Sequence, residues 1–554
     1  MRTESDSPPH RHYKWLVVGG GIHGVSIASR LIGEGIIDGN TNGNNSLLIV
    51  DEQQELLYSW KERTRATGMT FLRSAVGFHL DIPAEGLRAF ASGYGHNGNK
   101  QKQKQKPLSK KAKRQSKNNQ HRSKHGLGTS NGYPNAENPD TTTVGRDYQR
   151  PSLKMFNDHC DNVIDKYKLM DFHFRGRVES IDVCDEDGGN KPMPLRVVVR
   201  NSSGVDADAN ASGGVRESPP PGTTIVSADN IVLAVGNDDP AVPEWVTHLT
   251  SENNGYNYDK SIYHLLQLPN GDPPDAKTNP LYKANTDPNW DDFDRHEPRH
   301  VAIIGGGISA VHKALQIASK NSRDEKKALV HIVSRHRVRE QQFDTHQDWM
   351  MTQQLAQLSL DHGGKGLTKR QRKFGMVESP AERRRIIAGE RIPGTVPSYM
   401  TRAGTNSLEK AMGEGSISWY VASVARASRN NEATGGAQTA SGSTYTLELT
   451  NGETVGPLDE IILATGLGKK VPGNRILSPL AASASLPLGP CGYPLVDESL
   501  LWKPRMGSTT TSTNIFVAGG LAELELGPSA RNIAGARMGA ERIARAARRR
   551  TASR

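Results

Sequence analysis

The sequence predicts an α/β protein with two Rossmann-like dinucleotide-binding domains, the second inserted into the first, and a disordered basic insertion. Three observations predict it: two glycine-rich turns far apart in the chain, the same succession of strands after each, and one lysine-rich run that holds all of the net charge.

A chain of 554 residues exceeds what one hydrophobic core supports, so several domains are expected. The limits read from the sequence are 13–240 for the first part of one domain, 241–466 for the inserted domain and 467–547 for the return. The mean hydropathy of -0.61 is low for an enzyme. The polar residues are concentrated, however: Gly95 to His125 holds nine Lys and two Arg and no acid, a charge of +11, equal to that of the whole chain. The remainder is formally neutral, so basicity does not argue for nucleic-acid binding. With few apolar residues and mutually repelling charges, 95–148 reads as a disordered surface insert. The run Lys110, Lys111, Lys113 and Arg114 also fits a nuclear-import patch, or salt-sensitive adhesion to RNA or an anionic membrane. Further polar loops are expected at Asn201–Thr223, Pro269–Glu297 and Ser428–Ser443.

The first glycine turn stands in KWLVVGGGIHGVSIASRLIGEG from Lys14, an apolar strand, a turn and a helix. Gly19, Gly21 and Gly24 take the three places where a tight bend, a close approach to pyrophosphate and helix–strand packing need glycine, with Gly20 between them. His23 reads as a spacer. The helix start offers unpaired N–H groups and a positive dipole end to phosphates. The next strand, SLLIVDE, ends in Asp51 and Glu52, and an acid there accepts ribose hydroxyls, which favours FAD or NAD; Asp51 is the first choice and Glu52 the alternate. The polar stretch DGNTNGNN lengthens the gap to that acid. Strands RVESIDV, LRVVVRN and NIVLAVGN follow.

The second turn stands in HVAIIGGGISAVHKALQIAS from His300, with Gly305, Gly307 and Ala310 at the small-residue places and Ser309 at the helix start. Its second strand, ALVHIVSRHR, ends in Ser334, Arg335 and Arg337 in place of an acid. Arg335 is placed to pair with a 2′-phosphate, which favours NADPH over NADH; the alternative for Arg335 and Arg337 is a solvated pair of cations. WYVASVARA, TYTLELT and EIILATGL repeat the succession, and NIFVAGGLAELELGPSARNIAGARMGAERIARAARR returns the chain to the first domain.

GGGIHG, GGGISA and the late Ala464–Thr465–Gly466 together resemble the two-dinucleotide-binding flavoproteins, and among them the flavin-containing monooxygenases and the ornithine/lysine N-hydroxylase group. The resemblance implies FAD at the first site and NADPH at the second. It further implies that NADPH reduces FAD, that oxygen adds to carbon 4a of the flavin, and that the hydroperoxide hydroxylates a small nitrogen or sulfur nucleophile. It places Gly519 and Gly520 at the flavin, where an aspartate often follows and this chain has Leu521, and it has Arg73 and Ser74 line the flavin. Trp60, Met69, Phe71 and His79 fall near flavin or substrate, and Phe343, Asp344 and Trp349 near the nicotinamide or the cleft; core packing is the competing reading for all seven. No catalytic residue and no metal site is implied. The FxGxxxHxxxY/F pattern is absent.

Cys160, Cys184 and Cys491 are too far apart for a redox pair or a cysteine-based zinc site, which excludes dithiol reductases. No apolar run reaches the length of a membrane span, and a cytoplasmic protein acting on a small molecule and oxygen is expected. Two readings compete: a flavin-dependent NAD(P)H dehydrogenase or oxidase, and a non-catalytic nucleotide-binding interaction protein using the basic run.

Overall fold

Strand β1 (Arg11–Val18) is apolar at four consecutive positions, Trp15 to Val18, and all four are buried. A strand buried on both faces belongs in the middle of a parallel sheet covered by helices. In the computed structural model β1 pairs in parallel with β2 (Leu47–Asp51) on one side and β5 (Thr223–Leu233) on the other, with Val18 opposite Val50 and Leu233. The structure describes residues 11–39, 45–97, 150–183, 194–201, 222–236, 240–251, 261–268, 298–320, 328–350, 367–402, 406–430, 444–468, 470–503 and 514–552. The basic run from Lys100, the import patch, Cys184, and most of the expected loops at 38–45, 201–223, 269–297 and 428–443 lie outside them.

β3 (His173–Val183) continues the parallel side through its first residues and then turns back with β4 (Leu195–Asn201), which runs antiparallel to both β3 and β5. The second sheet takes β6 (Ile262–His264), β7 (Arg299–Ile304), β8 (Ala328–Ser334), β11 (Ile417–Val421) and β15 (Glu460–Leu463) in the order β11-β8-β7-β15-β6, all parallel. A short pair, β9 (Arg339–Glu340) with β10 (Thr395–Val396), stands beside it. β12 (Val424–Asn430), β13 (Thr444–Leu449) and β14 (Thr454–Leu458) form an antiparallel sheet of their own. The expected strand WYVASVARA is thus two, divided between sheets at Ala422 and Ser423. Finally β16 (Leu501–Trp502) and β17 (Ile515–Val517) join the first sheet beside β5.

The chain passes between the sheets at two adjacent points. Pro240 bridges Leu467, and the Ala241 N–H donates to Gly466 O at 2.9 Å.

Helix Ile22–Gly33 lies against the long last helix, Ile533–Ala552. Both helices carry small buried residues, Gly24 and Ala28 on one and Ala536 and Ala540 on the other. The arginines of the last helix are committed to acids and carbonyls. Arg548 pairs with Glu34 at 2.8 Å, and Arg537, 1% exposed, donates to Asp81 O at 2.7 Å and Ile82 O at 2.6 Å. Gly95 to Asn97, read as the opening of the insert, close the helix Gly86–Asn97.

Candidate functional site

The turn after β1 is shaped by close approaches that exclude side chains. Gly19 has φ +106°, and a Cβ there would sit 2.6 Å from Ala234 O, at the end of β5. A Cβ on Gly24 would sit 1.8 Å from Gly19 O. Over Gly21 nothing lies within 4 Å, so the helix N-terminus faces open space. Gly21 caps that helix without a side-chain hydrogen bond, so its first amides keep donor capacity for an anion. These features fit a dinucleotide pyrophosphate.

Asp51, at the end of β2, accepts from the Gly20 N–H at Oδ2 (2.6 Å) and from the Gln53 N–H at Oδ1 (2.8 Å). Burial pushes its carboxyl above the ordinary value, against the pull of those two amides. Glu52 is half exposed, 3.3 Å from the Arg177 Nε. Asp51 is therefore built into the turn, and Glu52 stands outside it.

The second turn repeats the geometry with other chemistry. Gly305 has φ +134°, and its Cβ would sit 2.4 Å from Ala464 O, the counterpart of Ala234. A Cβ on Gly306 would meet Ser334 Oγ at 2.6 Å, just as one on Gly20 would meet Asp51, so Ser334 holds the place of the acid. Its hydroxyl donates to His336 O at 2.5 Å. Arg335 and Arg337 are exposed, with no ion pair among the described residues. Ser309 is the second residue of the helix Ile308–Lys320, and Ala310 is fully buried. Unlike the first turn, this one is covered: a Cβ on Gly307 would meet Gly394 Cα at 3.3 Å.

Gly519 (φ +61°) and Gly520 come to the first turn from the far end of the chain. A Cβ on Gly519 would lie 3.3 Å from the His23 ring, and one on Gly520 3.3 Å from Arg531 Cζ. His23 is therefore more than a spacer: its ring fills the gap between the two turns and bonds to the Arg531 backbone. Burial holds its pKa at about 4, so it is neutral, and its Nδ1 is buried with no partner. Leu521 is fully buried, and the acid of this turn is Glu523, which receives Arg531 Nε at 2.8 Å and Arg384 from the second unit. Arg531 also donates to Tyr493 Oη at 2.6 Å.

Arg73 departs from the expected flavin-lining role. Its guanidinium crosses to the second unit and donates to Gln341 O (2.8 Å), Gln342 O (2.5 Å) and Thr395 Oγ1 (2.7 Å). Most of the seven residues left open between site and packing are engaged in packing. Trp60 donates to Asn157 and tilts against Phe156, His79 is buried and bonded to Ala84 O at 3.0 Å, and Met69 and Phe343 pack on the first core. Trp349 is buried, donates to Glu390 at 3.1 Å and meets Phe374 edge-on. Asp344 lies 3.6 Å from Arg391. Phe71 faces the Arg150 guanidinium, 5.5 Å from its ring centroid.

Among the described residues no group of His, Cys, Asp or Glu could hold a metal ion, and no helix is long and apolar enough to cross a membrane.

No protein-family model and no curated protein matches the chain. Solved structures do. Ornithine hydroxylase from Pseudomonas aeruginosa matches at 16% identity over 98% of this chain and 100% of that one, with a TM-score of 0.55. L-lysine 6-monooxygenase from Pseudomonas syringae matches at 16% identity over 97% and 99%, TM-score 0.55. The cadaverine monooxygenase from Erwinia amylovora, solved bound to FAD, matches at 11% identity over 97% and 95%, TM-score 0.56. At such identities the likeness is one of architecture. The chain has the two-unit α/β fold of these hydroxylase and monooxygenase structures.

Proposed function

We propose that the chain is an FAD-dependent, NADPH-using oxidoreductase, a monooxygenase that hydroxylates a small amine or another nitrogen or sulfur nucleophile. The observation that carries the reading is the pair of glycine turns of one geometry that end in opposite chemistry, Asp51 at the first and Ser334 with Arg335 at the second. Its fold is that of structures named for hydroxylating ornithine, lysine and cadaverine, which favours an amine. The domains run 13–240, 241–466 and 467–547.

FAD, when bound, would supply a two-electron acceptor for the hydride of NADPH and, once reduced, the activation of oxygen. The rest falls to this chain. The amides after Gly21 hold the pyrophosphate, Gly19, Gly20 and Gly24 shape the turn, and Asp51, or Glu52 beside it, takes the adenosine ribose. Gly519 and Gly520 would face the flavin with backbone, with His23 packed between the two turns. Gly305, Gly307 and Ser309 would hold the NADPH pyrophosphate, with Gly394 lying across the turn at Gly307, and Arg335 would take its 2′-phosphate. Arg73 ties the two units together and would thereby hold the two cofactor sites in register.

The test is the visible spectrum of the purified protein, followed by rapid mixing of the NADPH-reduced protein with oxygen. A yellow protein with a long-lived oxygenated flavin spectrum is expected. A colourless protein that takes up no FAD would sink the reading, and immediate reoxidation would assign it to the oxidases.

A further inference from the structure

A second constellation lies where the two units meet, and neither glycine turn uses it. Arg150 precedes the helix Leu153–Lys166, and its main chain is held by β-type contacts of its neighbours, Leu72 N–H to Pro151 O at 3.0 Å and the Phe71–Ser152 bridge. It is 2% exposed. Its guanidinium lies over the Tyr399 ring, 3.5 Å from the centroid, with the Phe71 ring at 5.5 Å. Phe71 belongs to the first unit and Tyr399 to the short helix Ser398–Thr401 of the second.

Among the described residues no carboxylate answers this charge. Among the described residues Arg150 Nε and Nη1 are buried without a hydrogen-bond partner, and so are Tyr399 Oη and the Nε2 of His312, on the helix that follows the second glycine turn. His312 feels the guanidinium: burial and the Arg150 charge hold its pKa down at about 4, so it adds no second cation. A buried cation lacking a partner is costly, and stacking on a tyrosine recovers about 2 kcal/mol of that. The other two buried arginines among the described residues have acids beside them. Arg30 lies 2.5 Å from Glu34 and 3.6 Å from Glu541, and Arg537 donates to carbonyls and lies 3.5 Å from Glu541. Arg150 holds donors in reserve, fixed in direction by two rings, beside further polar atoms that are also in reserve.

We propose that Arg150, with Tyr399 Oη and His312 Nε2, is a recognition site for an anionic oxygen group, a carboxylate or a phosphate, of a ligand held between the two units. A planar guanidinium suits both groups, since each offers two oxygens to its fork. The carboxylate would come from a small-molecule substrate and the phosphate from the dinucleotide of the second turn. The site does not depend on the chain carrying flavin.

The experiment uses the full chain, wild type, Arg150→Gln and Arg150→Lys, titrated by calorimetry with NADP⁺, sodium acetate and inorganic phosphate at constant ionic strength. Wild type is expected to bind at least one probe, Arg150→Gln to weaken that probe at least tenfold, and Arg150→Lys to weaken it less. Weakening of acetate with NADP⁺ unchanged assigns the site to a substrate carboxylate; weakening of NADP⁺ and phosphate assigns it to the cofactor. Because the cation leaves no acid among the described residues unpaired, Arg150→Gln should keep its Tm within a few degrees of wild type. Wild type that binds none of the three, or Arg150→Gln that binds them within twofold of wild type, overturns the proposal, as does a Tm drop with unchanged binding. The flavin spectrum of the same samples is read separately: a colourless protein with Arg150-dependent anion binding would sink the flavoprotein reading and leave this site standing.

Discussion

The backbone N–H of Gly20 donates to Asp51 Oδ2 at 2.6 Å, so the acid that ends β2 is tied to the turn that ends β1. In the second unit Ser334 lies beside Gly306 at the same place and carries no charge. Asp51→Asn keeps the shape but replaces one acceptor by a donor that faces either the Gly20 or the Gln53 amide. The fold should survive, because burial raises the Asp51 pKa and charge at this position is costly above it. FAD affinity should fall at least tenfold, about 1.4 kcal/mol. Flavin fluorescence titration checks it, and unchanged affinity would remove Asp51 from the site.

Gly21 and Gly24 separate binding from folding. A Cβ at position 21 meets nothing within 4 Å, so Gly21→Ala should fold with a Tm near that of wild type. It would still narrow the space for a pyrophosphate, and FAD should be lost on gel filtration. A Cβ at position 24 would lie 1.8 Å from Gly19 O, and Gly24→Ala should lose both flavin and soluble protein. Equal flavin retention in Gly21→Ala and wild type would contradict the placement.

Both turns were legible in the sequence because each glycine answers a local demand. The bends at Gly19 and Gly305 need positive φ, and a Cβ at either would press on a carbonyl just past β5 or β15, Ala234 O and Ala464 O. The fold class followed from those turns and from apolar runs such as Trp15–Val18. What stayed hidden is carried by contacts between distant parts of the chain. His23 acquires its role from Gly519, Arg150 from Tyr399, and Glu523 from Arg384 and Arg531, and no local periodicity encodes such meetings. Arg73 shows the same limit: its neighbourhood suggested the flavin, yet its partners are carbonyls more than 260 residues away.

Arg335 is exposed at the end of β8, with no acid bound to it among the described residues. If it receives the 2′-phosphate, Arg335→Ala should raise the KM for NADPH by tenfold or more and leave that for NADH within twofold, since a charge-assisted pair contributes about 1.5–3 kcal/mol. Steady-state kinetics with both nucleotides decides it. Equal losses with the two would assign Arg335 to general support of the loop.

The buried pair His79 and His159 makes stability depend on pH. Burial lowers both, to about 3 and about 4, with Arg537 adding to the effect on His79 and Lys166 to that on His159, while Asp81 opposes it at both. A folded pKa below the ordinary 6.5 means the neutral ring is favoured in the fold. That stability is complete above pH 6.5 and is lost as pH falls toward 4, because the unfolded chain takes up protons first. At pH 5 each ring should have cost about 2 kcal/mol. His159→Leu removes two buried, unpartnered nitrogens and should flatten the dependence by one proton. Urea unfolding at pH 7.5, 6.5 and 5 measures it, and a wild-type stability that is level over this range would refute the assignment.

Arg73 spans the seam with three strong hydrogen bonds, to Gln341 O, Gln342 O and Thr395 Oγ1. The two carbonyls flank the end of β9 and Thr395 opens β10, so the guanidinium grips the short pair that stands beside the second sheet. Arg73→Ala removes all three bonds and leaves the buried Thr395 hydroxyl with only a long contact to Phe343 O, at 3.5 Å. A loss of about 2–4 kcal/mol is expected. Arg73→Lys can restore one bond but not the fork, and should recover part of it. If the grip serves to set nicotinamide against flavin, Arg73→Ala should slow flavin reduction by NADPH more than it weakens NADP⁺ binding. Rapid-mixing reduction rates beside NADP⁺ titrations separate these effects, and a variant that loses stability yet is reduced at the wild-type rate would confine Arg73 to holding the units together.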